Sequence, residues 1–452
     1  MTDALEATID ERLADYRGEL FDLLAQPSIS VTGNGMDTCA TLLASILEAR
    51  GFDEPRRIET DGHPIVYAER VHDESLPTVA FYGHYDVQPP GARERWTSPP
   101  FEPTVRDGSI YARGSGDNKG QLLTHVFAVD ALDAVTDGPP VNVKLLFEGD
   151  EENGSVGLID YLTDEPAELA DVDLVYVADG PMHPSRRPTI IYGNRGILSA
   201  QLDLETAADD LHSGNFGGPV PNAANELVEL LASMYDGDTV TIDGFHEHVA
   251  ISPEDRELAA AVPFDEAALT AEIGIDRFAT DNPYYERLLL EPTLTINGLS
   301  SGYDGEGKKT IIPHQATAKL DCRLVPDQDP DRVFERIVSH VTARNPDVEV
   351  TKMGTFPPMK TPLGTPAAAP LANALQTVWE REPVEMPLLG GSLPASYFRS
   401  ELDVPVLVVP YANPDESNHA PDEHLDLDCF RNGIETTARF LQLLPEYDLT
   451  SS

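Results

Sequence analysis

The sequence predicts an α/β fold: a mostly parallel sheet flanked by helices (the larger domain), with a smaller α+β unit inserted into it. Three observations carry that prediction. Short apolar runs alternate with helical stretches over the first 190 residues, the pattern of strand–helix–strand units. Near residue 190 the order changes to strand, helix, strand, strand, helix, strand, and the first texture returns after about residue 360. A chain of 452 residues with 41% apolar content can also fill more than one core.

Taken in order, residues 3–26 place Leu13, Tyr16, Leu20, Leu23 and Leu24 at helical spacing, and Cys39–Leu47 repeats the pattern. Four strand-like runs follow: PIVYAE, LPTVAFYG, VNVKLLFEGD and DLVYVAD. Helical stretches at 118–133 and 155–163 separate the later ones. TIIYGNRGILSAQLDLET (189–206) is expected to be a strand pair, and PNAANELVELLASMY a helix with Pro221 near its start. Residues 235–290 look irregular and acidic. TLTING, ATAKLDCRLV, a helix at 330–343 and VEVTKM complete the inserted unit. A helix at 366–380, the strand VPVLVVP and a final helix from about 428 close the chain. The expected division is 1–190 and 360–452 for the larger domain and 191–359 for the smaller one.

Charge narrows the function. Lys and Arg number 31 against 78 Asp and Glu, a net charge of −47. No basic cluster is present to meet phosphates, so a nucleic-acid partner is not expected. An acid-rich, lysine-poor surface on a chain of ordinary apolar content points to adaptation to high salt, where screening removes much of the self-repulsion. Cys39, Cys322 and Cys429 are widely spaced and odd in number. They make neither a disulfide framework nor a metal knuckle, and they suit a reducing interior. MTDALEATIDERL lacks the apolar core of a secretory signal, and no run of 18 apolar residues exists to span a membrane. The expectation is a soluble, cytoplasmic protein with no membrane partner.

Five stretches carry chemistry: GHYDVQP (83–89), GSGDNKG (114–120), EGDEENGS (148–155), YVADG (176–180) and SNHAPDEH (417–424). Singly, each has a bland reading. His84 and Asp86 could mark a turn, Asp117 could cap a helix, and Glu151–Glu152 could be a solvated face. Asp179 could start a turn, and His419 could be an ordinary loop histidine. Together they read differently. The strand-like runs end in His84/Asp86, in Glu148–Glu152 and in Asp179, and open α/β sheets build their sites at the carboxyl ends of strands. The set offers imidazoles and carboxylates without thiolates, which suits Zn²⁺, Mn²⁺ or Co²⁺. So many carboxylates crowded together would repel without cations; a pair of divalent ions would offset them.

These motifs, with LLAQPSIS (23–30), DLHSGNFGG (210–218), KTIIP (309–313), CRLVP (322–326) and GGSLP (390–394), run over nearly the whole chain. In combination and order they resemble the M20 metallopeptidase family, and the GHYDVQP form favours its dipeptidase branch. The resemblance implies two divalent ions per chain, zinc first and manganese or cobalt as alternatives. His84, Asp117 and Asp179 match the ligands of one. Asp117, Glu152 and His419 match those of the other, with Asp117 bridging. Glu151 matches the general base, and Asp86 the carboxylate that orients His84. His212 matches a lid-domain residue that reaches the partner subunit's site to stabilise an oxyanion, which implies a homodimer through the lid. Thr310, Arg323, Gly391 and Ser392 match positions that bind the carboxylate and backbone of a small peptide. Without the resemblance, Arg323 would read as a structural ion pair and His212 as a turn residue.

The resulting expectation is a binuclear hydrolase that cleaves dipeptides or short peptides with a free C-terminal carboxylate. Two readings compete. One is an N-acyl amino acid deacylase of the acetylornithine deacetylase or succinyl-diaminopimelate desuccinylase type, which needs the same metals and base. The other is a metal-binding protein that keeps the fold without catalysis. Ser392 in GGS has no nucleophile elbow around it, which discounts a serine hydrolase.

Overall fold

The structure, a computed structural model, describes residues 2–136, 138–164, 166–249 and 251–449. The chain divides into two compact units: Met1–Gly193 with Thr361–Met386 and Tyr397–Ser452 (unit 1), and Asn194–Lys360 with Pro387–Ser396 (unit 2).

Unit 1 is built on an eight-stranded sheet. Its strands are β1 (Asp53–Ile58), β2 (Ile65–Arg70), β3 (Thr78–His84), β4 (Asn142–Glu148), β5 (Leu174–Val177), β6 (Thr189–Ile191), β7 (Val384–Met386) and β8 (Val406–Val408). Their order across the sheet is β1-β2-β4-β3-β5-β8-β6-β7. β3 runs parallel to β4 and β5, β5 parallel to β8, and β6 parallel to β7. The antiparallel exceptions are β1 with β2, β2 with β4, and β6 with β8. β3, β4 and β5 are buried along their whole length. Their unbroken apolar runs, TVAFYG and LLF among them, suit strands covered on both faces rather than one.

Helices α1 (Thr2–Ala25), α2 (Met36–Ala49), α3 (Lys119–Val135) and α4 (Val156–Thr163) belong to this unit, as do α5 (Ala368–Trp379) and α6 from Tyr397 onward (Ala395–Leu402 overall). The last is α7 (Leu427–Leu443). α3 packs against α1 and α7, and every residue from Lys119 to Val129 is buried. The Lys119 ammonium is buried too. It donates to Leu23 O at 3.0 Å and Gln26 O at 2.7 Å. A cation thus satisfies carbonyls left open at the carboxyl end of α1 and ties that helix to the first turn of α3. Cys39, Cys322 and Cys429 are all buried free thiols.

Unit 2 holds a four-stranded antiparallel sheet in the order Thr293–Ser301, Gln315–Leu324, Gly196–Glu205, Val348–Phe356. Burial alternates along Gly196–Glu205 and Gln315–Leu324, the signature of a sheet with one face inward. Leu198, Leu202 and Leu320 pack with Leu227 and Leu231 of the helix Ala223–Ala232 and with Ile337 and Val341 of Pro330–Arg344.

Three sequence expectations need revision. The pair over 189–206 is split: Thr189–Ile191 joins the unit 1 sheet and Gly196–Glu205 the unit 2 sheet. Between them the buried Arg195 donates to Leu288 O (2.6 Å), Glu291 O (2.9 Å) and Arg323 O (3.2 Å), which pins the chain into unit 2. Pro387–Ser396 groups with unit 2, not with the carboxyl-terminal part of the larger domain. Arg195 N donates to Leu389 O (3.1 Å) and Arg323 Nη1 to Ser392 Oγ (3.2 Å), bonds between residues far apart in sequence. The stretch 235–290 contains three helices: Pro253–Ala261, Glu266–Ile273 and Tyr284–Leu290. The first opens on a capping box between Ser252 and Asp255, with Pro253 at its start. That signal was readable in the sequence.

Candidate metal centre

Parallel pairing brings the carboxyl ends of β3, β4 and β5 level. His84 lies opposite Glu148, and Asp179 follows two residues after β5. His84 is fully buried. Its Nε2 lies 3.0 Å from Asp117 Oδ1 and 3.8 Å from Asp179 Oδ2. The other Asp117 oxygen, Oδ2, lies 3.0 Å from His419 Nε2, which is itself 3.2 Å from Glu152 Oε2. Two donor sets result, His84–Asp117–Asp179 and Asp117–Glu152–His419, each with its ligand atoms within 4.8 Å of one another. Asp117 belongs to both, one oxygen turned to each. The peptide bond after it, Asp117–Asn118, is cis.

The electrostatics show what the cluster lacks. Burial, reinforced by Asp179, Asp117 and Glu152, pushes the Glu151 carboxyl well above the usual range although His84 opposes it. Burial also lifts Asp179 to about 6. Burial would raise Asp117 as well, but hydrogen bonds from His419 and His84 outweigh it and hold it low. His419 is pushed up to about 10 by its bonds to Asp117 and Glu152. His84 is raised against the effect of its own burial by Asp117 and Asp86. Each imidazole thus holds a proton between carboxylates. Glu152 Oε1 is buried without a partner. A buried acid cluster that recruits protons and leaves an oxygen unbonded fits divalent cations, and imidazole with carboxylate is a donor set for zinc, manganese or cobalt.

The polypeptide around the donors is tightly held. Asp86 does two things. His84 Nδ1 lies 3.1 Å from its backbone oxygen and 3.3 Å from its Oδ1. Its carboxylate also accepts the backbone N–H groups of Glu151 (3.2 Å) and Glu152 (3.0 Å). Asp86 therefore orients the imidazole and fixes the turn that presents both glutamates; the second task was not foreseen. Gln88 Nε2 donates to Glu152 Oε2 at 2.8 Å.

The loop GSGDN is held from below by Glu423. Its Oε1 accepts the N–H groups of Gly114 (3.0 Å), Gly116 (3.1 Å) and Asp117 (3.1 Å), while Oε2 meets Arg113 Nη1 at 2.5 Å. A Cβ at Gly116 would lie 2.0 Å from Glu416 Oε2, so a side chain there would force Glu416 to move. Asn118 joins two strand ends: its Oδ1 accepts His84 N–H (3.3 Å), and its Nδ2 donates to Ala178 O (2.7 Å) and Asp179 Oδ1 (3.1 Å). Sequence reasoning singled out none of Arg113, Asn118, Gln121 or Glu423 for a role. Asn118 and Glu423 at least lay inside quoted motifs, GSGDNKG and SNHAPDEH.

The remaining expected residues lie in unit 2. His212 is exposed on a two-stranded ribbon opposite Ile311. Ser213 N–H donates to Thr310 O at 3.0 Å, so His212 and Thr310 are brought together. His212 Nδ1 accepts from Gly214 N at 3.0 Å, which leaves the proton of the neutral ring on Nε2, free to donate outward. Arg323 Nη1 donates to Ser392 Oγ and its Nε lies 3.2 Å from Asp321 Oδ1; Gly391 is beside Ser392.

Comparison with known proteins fits this geometry. A model of the peptidase family M20/M25/M40 matches residues 80–443. The chain is 29% identical to the Beta-Ala-His dipeptidase of Rattus norvegicus over 97% of this chain and 90% of that one. It is 31% identical to the Cys-Gly metallodipeptidase DUG1 of Saccharomyces cerevisiae over 85% and 82%. Among solved structures it resembles an M20 family metallo-carboxypeptidase, Sso-CP2, from Sulfolobus solfataricus, with a TM-score of 0.89 and 34% identity over 95% of this chain and 99% of that one. With the family model covering most of its length and a cluster of acids and histidines gathered at its strand ends, the chain belongs to peptidase family M20/M25/M40 and is a peptidase-type hydrolase.

Proposed function

We propose that the protein is a binuclear metallodipeptidase that cleaves dipeptides or short peptides with a free C-terminal carboxylate. The observation that carries this is the sharing of Asp117 between two donor sets, with the half-buried Glu151 close enough to feel the charges of His84, Asp179, Asp117 and Glu152. His84, Asp117 and Asp179 would hold one divalent ion, zinc in the first instance, and Asp117, Glu152 and His419 a second. Ions bound there supply Lewis acidity, which polarises a peptide carbonyl and eases deprotonation of water.

The chain's own residues do the rest. Glu151, whose carboxyl burial has made a stronger base, accepts the proton of the attacking water and delivers it to the leaving amine. Asp86 keeps His84 and the Glu151–Glu152 turn in place while this happens. His212, with Nε2–H facing outward, donates to the developing oxyanion, acting across a homodimer as the family resemblance implies. Arg323 takes the substrate carboxylate, with Thr310, Gly391 and Ser392 contacting its backbone.

The dipeptidase relatives support the substrate class. The likeness to a metallo-carboxypeptidase supports a second reading, removal of C-terminal residues from longer peptides, which uses the same carboxylate contact. Among the described residues no helix is long and apolar enough to cross a membrane. Cytoplasmic residence and salt adaptation, which rests on the charge of −47, are part of the proposal.

One assay decides. Zinc-, manganese- or cobalt-loaded protein is offered dipeptides, tetrapeptides and N-acetyl amino acids, with and without C-terminal amidation. Hydrolysis of free-carboxylate dipeptides is expected. Turnover confined to tetrapeptides would favour the carboxypeptidase reading, and turnover confined to acylated amino acids would show a deacylase. No hydrolysis with any of the three metals would indicate a binding protein.

A further inference from the structure

The donors of the centre arrive from separate segments of unit 1, and one buried side chain touches three of them. Gln121 lies in the first turn of α3 and is fully buried. Its Nε2 donates to Gly116 O at 2.8 Å and to Gly180 O at 3.1 Å. Its Oε1 accepts from Tyr411 N at 2.7 Å and from Ala412 N at 3.3 Å. Both donors and both acceptor sites of the amide are thereby used. Gly116 immediately precedes Asp117, and Gly180 immediately follows Asp179. Tyr411 and Ala412 lie just after β8, at the start of the loop that carries His419.

We propose that Gln121 is a positioning residue: it sets the separation of Asp117 and Asp179, and with it the affinity of the centre for divalent ions. The proposal rests on the metal reading above. Its neighbours Leu122 and Leu123 are buried and apolar, and an apolar residue of the same length would fill the space equally well. Only an amide supplies two donors and two acceptor sites in the required places. Without them, the buried Gly116 carbonyl, the half-buried Gly180 carbonyl and two buried N–H groups lose their partner. The loops can then satisfy those groups only by moving, and donor separation is no longer fixed. Glu423 holds the N–H side of the Asp117 loop, and Asn118 reaches Ala178 and Asp179. Glu423 itself belongs to the His419 segment, and Gln121 alone of the three connects that segment with both the Asp117 and the Asp179 loops. Partners that orient ligands without touching the ion characteristically govern its affinity.

The test is zinc uptake by the full chain, measured by equilibrium dialysis against chelator-buffered Zn²⁺, with urea unfolding of the ion-free protein in parallel. Gln121→Met keeps the volume and removes all four bonds. Gln121→Glu keeps the acceptor oxygen for Tyr411 and Ala412 and removes both donors, so it decides the matter if the first variant fails to fold. Leu132→Ala, further along α3, is the control for stability alone. Both Gln121 variants are expected to need roughly 10- to 100-fold more free zinc for filling. Leu132→Ala should unfold at lower urea yet fill like the wild type. Unchanged uptake by a folded Gln121 variant overturns the proposal. So does a loss of uptake in Leu132→Ala as large as theirs. Wild-type protein that takes up no zinc overturns the metal reading and this proposal together, whereas wild-type uptake with unchanged variants overturns this proposal alone.

Discussion

Asn118, Gln121 and Glu423 in unit 1 are buried with their polar side-chain atoms bonded to backbone and, for Asn118 and Glu423, also to the Asp179 carboxylate and the Arg113 guanidinium, whereas the unit 2 residues assigned to substrate are open. His212 and Thr310 are exposed, and Arg323 and Ser392 are half-buried. The first group is finished before any ligand arrives, because donors to an ion must be held at fixed separations. The second keeps hydrogen-bonding capacity in reserve: the outward Nε2–H of His212 and most of the Arg323 guanidinium. Substitutions in the first group should therefore disturb metal and stability, and those in the second should disturb kinetics alone.

The largest effect separates chemistry from binding inside unit 1. Glu151→Gln removes the proposed base but leaves both donor sets intact. Turnover should fall roughly 100- to 10,000-fold, while metal content by elemental analysis stays at the wild-type level. Surviving turnover would remove Glu151 from its role.

Glu423→Ala tests the supporting layer. It leaves the buried Arg113 cation and three loop N–H groups without their acceptor. Removing one partner of a buried pair costs about 3–5 kcal/mol, readable as a lower urea midpoint of the ion-free protein. An unchanged midpoint would mean that the loop holds itself.

Arg323→Ala tests the open layer. The loss of a charge-assisted contact, about 1.5–3 kcal/mol, should lower kcat/KM for free-carboxylate dipeptides by roughly 10- to 150-fold. C-terminally amidated analogues should show no comparable loss, and the thermal midpoint should hold. A stability loss matching that of Glu423→Ala would erase the distinction between the two groups.

The sequence made some of this visible for a physical reason. His84, Glu151, Glu152 and Asp179 could be grouped because parallel strands bring their carboxyl ends level, and apolar runs that stop at polar residues mark those ends. Asp117 stood out by its glycines. Gln121 and Asn118 could not be found that way. They act on backbone atoms of distant segments, and nothing in Gly116, Gly180 or Tyr411 as residue types records that contact. The split of 189–206 was hidden likewise, since it depends on where the Arg195 guanidinium finds carbonyls. GGSLP was readable as a motif but not as part of unit 2, because the ties of its segment, Leu389 to Arg195 and Ser392 to Arg323, are long in sequence.

The smallest expected effect probes the buried side of the comparison away from the donors. His125 lies on α3, stacked on Phe81 at 4.3 Å and bonded to Thr437 Oγ1 at 3.2 Å, with Nε2 unpartnered. Burial lowers its pKa to about 3, against about 6.5 in an unfolded chain. Between those values the unfolded state binds a proton that the folded state refuses. Stability is therefore intact above pH 6.5 and declines as pH falls toward 3. His125→Phe keeps a ring of similar size against Phe81 and cannot titrate. In the ion-free protein its urea midpoint should fall less than that of the wild type between pH 7.5 and 5.5, by about 1 kcal/mol. Comparing the two proteins cancels the contributions of His84 and His419, which titrate in both. Equal declines would mean that water reaches the ring and that this part of unit 1 is less tightly closed than its bonding implies.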